Sequence, residues 1–60
     1  MNYPRDTELV DSGDGRRAIY IALQGDGTHL IRRWIEESKV WQAGFYTDDE
    51  VKMRFHPATE

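Results

Sequence analysis

Sixty residues with eight Lys and Arg, eleven Asp and Glu and no Cys describe one small domain at most. A chain of this length buries only about 60% of the surface its unfolded form exposes, and lacking Cys it has no disulfide staple and no thiolate for zinc, iron–sulfur or redox chemistry. No apolar run approaches the roughly 18 residues of a membrane-spanning helix, and the net charge of −3 opposes the basic stripe of a nucleic-acid binder.

The segment Met1-Asn2-Tyr3-Pro4-Arg5-Asp6 lacks the basic-then-apolar layout of a secretory leader. Together with Met1 and the missing Cys, this leads to the expectation of a whole small cytoplasmic protein. Thr7–Asp11 reads as a short strand. Ser12-Gly13-Asp14-Gly15 is a turn signal, since Gly accepts positive φ and Asp turns the chain on its own side chain. Arg16–Gln24 is β-branched, aromatic and apolar at consecutive positions, which suits a central strand covered on both faces.

Gly25-Asp26-Gly27 is the second turn signal. After it, Leu30, Ile31, Trp34, Ile35 and Trp41 fall within one arc of about 140° at helical spacing, with Arg32, Arg33, Glu36 and Lys39 behind them. The spacing predicts a helix from 28 to about 42, capped by Asp26 or Thr28 and ended by Gly44. In that helix Arg32/Glu36 and Arg33/Glu37 are i,i+4 ion pairs, and Trp34 belongs to the core. A strand–Gly-x-Gly–helix unit can hold an anion, but the third glycine of a dinucleotide fingerprint would fall on Leu30, so Gly25 and Gly27 read as turn and cap.

Phe45-Tyr46-Thr47, the turn Asp48-Asp49-Glu50 and the alternating Val51-Lys52-Met53-Arg54-Phe55 predict a closing hairpin. The expected fold is α+β: a single domain over 1–60, its ordered core about 7–56 between tails 1–6 and 57–60. It has a four-stranded sheet with one helix packed on one face, in ββαββ order. This layout, the size and the Phe45-Tyr46-Thr47-Asp48-Asp49 segment resemble the immunoglobulin-binding β-grasp domains of bacterial surface proteins. The resemblance implies a β-grasp-like arrangement and no function.

The chemistry-bearing residues are few. His29 and His56 are the only side chains that ordinarily titrate near neutral pH, and they stand in no metal-ligand spacing. Asp48-Asp49-Glu50 lacks the alternation and Gly of a calcium loop. Ser12, Ser38 and the Thr residues have no base partner in the sequence, so neither enzyme, metal nor cofactor is expected. Residues 16–35 carry +3 between two segments of −3 each, and aromatic and Arg side chains are the usual anchors of protein interfaces. The expected binding residues are therefore Arg16, Arg17, Tyr20, Arg32, Arg33 and Tyr46, with Tyr20 and Tyr46 on the outer sheet face. The function expected by elimination is a stand-alone module that docks on and inhibits or modulates a larger protein, in the style of phage or mobile-element inhibitors such as anti-CRISPR and host-takeover proteins. The alternatives are a nucleic-acid-associated regulator using an Arg patch and a structural homo-oligomer, including a homodimer; no membrane partner is expected.

Overall fold

A computed structural model describes residues 3–58. They form a small α+β domain with a five-stranded antiparallel sheet and one helix. The elements are β1 (Glu8–Asp11), β2 (Arg17–Leu23), β3 (His29–Ile35), β4 (Val40–Tyr46), α1 (Asp48–Arg54) and β5 (Phe55–Pro57). Strand order is β4-β3-β2-β1-β5. The first four strands form a meander, and α1 carries the chain from the β4 edge back to β1, where β5 completes the opposite edge. The expected tails include residues 1–2 and 59–60, which lie outside the described residues.

The first half follows the sequence reading in its two strands and the turn between them, but β2 is covered on one face only and not on both. Gly13 N–H donates to Asp11 Oδ1 and Arg16 N–H to Asp14 Oδ1, closing the β1–β2 turn, in which Gly15 takes φ +74°. β2 lies between β1 and β3, with Ala18 and Tyr20 buried on one face and Ile19 half-buried on the other.

The second half corrects it. Residues 29–46 are not a helix but the β3–β4 hairpin, with seven paired positions from His29↔Tyr46 to Ile35↔Val40. The helical arc arose because both faces of β3 carry apolar residues. Leu30 and Trp34 share one face with Arg32, while Ile31 and Ile35 share the other with Arg33, so adjacent apolar pairs hide the period of two. The residues themselves are strand formers: Ile31, Trp34, Ile35, Val40, Trp41, Phe45 and Tyr46. Glu36–Lys39 forms the turn, closed by Lys39 N–H donating to the Ile35 carbonyl at 2.7 Å, with Lys39 at φ +55°. The expected i,i+4 pairs do not form: Glu37 bonds Arg16, and Glu36 bonds Trp34 and Lys39.

The closing hairpin is also replaced. Asp48-Asp49-Glu50 is the first turn of α1, and Val51–Arg54 is helical, leaving only Phe55–Pro57 as strand. Thr47 and Glu50 form a capping box: Glu50 N–H donates to Thr47 Oγ1 at 3.2 Å, and Thr47 N–H donates to Glu50 Oε1 at 2.8 Å. Three acidic residues in the first turn and Lys52 and Arg54 in the last complement the helix dipole. The expected four strands in ββαββ order thus become five, with the helix between the fourth and fifth. The β-grasp-like layout is not what the chain forms.

α1 closes one face of the sheet, here the inner face. Leu9, Ala18, Tyr20, Ile31, Val51 and Phe55 are its buried apolar residues, with Tyr3 and Tyr46 packed against them. Tyr3 meets Tyr20 edge-on at 5.7 Å and Tyr46 meets Phe55 edge-on at 5.2 Å, the geometry that aligns a positive ring edge with a negative ring face.

Candidate interaction surface

The inner face also carries the two buried polar residues, Asp11 and His29, and both are partnered, while Arg33 Nε beside them is buried without a hydrogen-bond partner. Asp11, 2% exposed, accepts from Gly13 N–H and from Arg54 Nη2 at 3.0 Å, and lies 3.3 Å from Arg33 Nη2. Burial pushes the Asp11 carboxyl up, but the Gly13 N–H and the Arg54 and Arg33 guanidiniums outweigh it and hold it below the usual carboxylate range. Arg33 also reaches Asp14 at 3.0 Å, and Arg16 grips Glu37 through two bonds of 2.9 and 2.7 Å. That bidentate hydrogen bond from Arg16 lowers the Glu37 carboxyl to about 2.

At the other end of the same face, His29 is fully buried between Tyr20 and Asp48. A carboxylate only accepts, so in the neutral imidazole His29 Nε2–H donates to Asp48 and Nδ1 accepts the Tyr20 hydroxyl proton across 2.8 Å. The hydrogen bond from His29 holds the Asp48 carboxyl low, and burial raises the Tyr20 phenol. This chain ties the start of α1 to β3 and β2.

The outer face is different. Cross-strand registers align Glu8, Ile19, Arg32 and Ala43 in one row, with Trp34 opposite Trp41 and Leu30 opposite Phe45. α1 lies on the inner face, and among the described residues no element covers this one. Trp34 and Trp41 pack on each other at 5.2 Å, Phe45 is 65% exposed, and Val10, Ile19 and Leu30 are half-buried. Arg17 and Arg32 both lie over the Trp41 ring, at 5.8 and 5.9 Å. Arg17 has one distant carboxylate, Glu8 at 3.7 Å, and Arg32 has none at ion-pair distance among the described residues.

The sheet therefore divides the expected binding residues. Arg17 and Arg32 come together on the outer face, whereas Arg16 and Arg33 are held by carboxylates at the far side of each doublet. Tyr20 and Tyr46 are not on the outer face. Tyr20 is 2% exposed in the core, and the Tyr46 ring folds over Gly44, where an added Cβ would sit 3.1 Å from the Tyr46 hydroxyl. The residues that face outward in their place are Trp34, Trp41 and Phe45. Trp34 was expected in the core of a helix packing that does not exist. A strand reading of 29–46 would have found all three, because alternation puts Trp41, Ala43 and Phe45 on one side. Comparison with protein-family models, with curated proteins and with solved structures finds no match for this chain.

Proposed function

We propose that this chain is a protein-binding module that docks by its outer sheet face onto a larger protein and inhibits or modulates it. The observation that supports the reading is the open aromatic face itself: Trp34, Trp41 and Phe45 among half-buried aliphatics, flanked by Arg17 and Arg32. Exposed apolar surface rimmed by polar groups marks interaction sites, and Trp and Arg supply most hot spots. The matching partner surface is apolar at its centre and carries Asp or Glu opposite Arg17 and Arg32. The division of each Arg doublet weighs against the nucleic-acid reading, which needs the four Arg in one stripe.

Affinity capture with the tagged chain tests this. The unaltered protein should retain a stoichiometric partner that Phe45→Ala and Arg32→Glu both lose while keeping their cooperative melts. A partner held equally by both variants, or none in lysates of several plausible bacterial hosts, overturns the reading.

A further inference from the structure

A second surface, the β4 edge, shares Trp41 and Phe45 with the outer face but does not rest on the docking reading. β4 is an edge strand seven residues long, hydrogen-bonded to β3 on one side and to no strand on the other among the described residues. Natural edges are guarded by Lys, by other charges, by Pro, by a bulge or by shortness. β4 has none of these guards. Its sequence, Val40-Trp41-Gln42-Ala43-Gly44-Phe45-Tyr46, contains no charge and no Pro, and its register with β3 runs unbroken. The opposite edge, β5, has only three residues and includes Pro57. The bulge that the sheet does contain lies between Tyr20 and Ala22 in β2, away from β4.

We propose that β4 pairs antiparallel with β4 of a second copy of this chain, centred on Ala43, joining the two sheets into one. Three features of β4 fit its own copy. First, the strand is self-complementary about its centre. Pairing through Ala43 sets Trp41 opposite the second copy's Phe45, twice, on the outer face, and the small Ala43 meets itself on the two-fold axis. Second, the most exposed apolar residues of the sheet, Phe45 at 65% and Val40 at 49%, both lie in this strand and gain cross-strand neighbours. Third, the absence of charge removes the like-charge repulsion that a two-fold axis imposes on any charged edge residue near it. A strand of another protein could satisfy the backbone, but only a second β4 meets the aromatic–small–aromatic order with its own mirror sequence. The joined sheet leaves the outer face open and doubles it, so docking and pairing are separately testable.

Sedimentation equilibrium on the full chain reads the pairing directly. The expected mass is twice the 7.0 kDa of one chain, falling toward it on dilution. A single-chain mass at all concentrations up to about 1 mM overturns the proposal. Ala43→Glu places a carboxylate beside Arg32 within the chain but opposite its own copy across the axis, so it should keep its circular-dichroism spectrum and sediment as one chain. A folded Ala43→Glu dimer overturns the proposal. The natural chain has no Cys, so a single introduced thiol is a position-specific reporter. A short bis-maleimide, which adds one thiol across each of its two double bonds, should join Ala43→Cys chains into dimers, because directly opposed Cβ atoms lie about 5 Å apart. It should leave Met53→Cys, 80% exposed on α1, as monomers. Equal cross-linking of the two variants overturns the proposal. These readings use isolated protein, so they stand or fall apart from any capture experiment.

Discussion

The two faces of the sheet are built from the same strands, yet they meet opposite fates. The inner face is closed by α1, and the buried polar residues on it are partnered: Asp11 by Arg33 and Arg54, and His29 by Asp48 and Tyr20. The outer face has no cover among the described residues, and its two Arg both lie over one indole, with Glu8 at 3.7 Å from Arg17 and no carboxylate at ion-pair distance from Arg32 among the described residues. Adjacent residues in one strand are assigned to these two regimes by alternation alone. Arg32 and Arg33 are neighbours in sequence, but Arg33 belongs to a structural ion network and Arg32 to an open surface. The lesson is that the sequence places four Arg between residues 16 and 33, while only the pleat decides which of them are free to meet a partner.

The largest expected effect contrasts one residue from each face. Ile31 is fully buried, and Ile31→Ala should cost about 2–5 kcal/mol, a large share of the stability of a 60-residue domain. Phe45→Ala, on the open face, should change the unfolding free energy by no more than about 0.5 kcal/mol. Urea denaturation of both variants measures this. A comparable loss from Phe45→Ala would mean that the outer face is a second core and not a surface.

The ion network comes next. Asp11→Ala strands Arg33 and Arg54 beside a buried site and should cost about 2–3 kcal/mol. The network also sets an acid limit. Asp11 has its carboxyl below the ordinary value near 3.8, so its contribution is present above that value and is lost as pH falls through the lower folded one. Glu37, lowered by Arg16, and Asp48, lowered by His29, have the same sign. The carboxylate contribution should therefore be lost steeply below about pH 4 in thermal melts, with a shallower drop in Asp11→Asn.

The turns at 12–15 and 25–27, β1 and β2 were legible in the sequence because Gly and Asp mark turns by a local mechanism, whereas the Glu36–Lys39 turn has neither residue and was not. The β3–β4 hairpin was not, because strands with apolar residues on both sides lose the alternation that identifies them. Leu30-Ile31 and Trp34-Ile35 then mimic a helical stripe. The misplacement of Trp34 and Trp41 follows from that one misreading: a helical stripe buries them, and a strand exposes a side of them; Tyr20 and Tyr46 lie outside the 28–42 segment and were set on the wrong face of their own strands. The real helix did carry a readable signal, the Thr47-Asp48-Asp49-Glu50 box, which was outweighed by the accidental alternation of Val51–Phe55. Thr47→Ala removes that cap and should cost about 1 kcal/mol, loosening the cover of the inner face without touching the outer one. Hydrogen exchange at the α1 amides should rise more than at β3.

The smallest expected effect is the sharpest test of how the Arg doublets are divided. Arg32→Gln removes a cation from above Trp41 at an exposed site, where such contacts are worth about 0.5–1 kcal/mol at most. Arg33→Gln removes the guanidinium that joins Asp11 to Asp14, leaving the buried carboxylate with Arg54 and Gly13 alone. Arg33→Gln should therefore destabilise more than Arg32→Gln, and only Arg33→Gln should raise the pH at which acid unfolding begins. The quantity that matters is the difference between two substitutions of identical chemistry at adjacent positions. If that difference vanished, the charges on the two faces would be interchangeable, and the open face would lose its claim to be where Arg is held ready for another molecule.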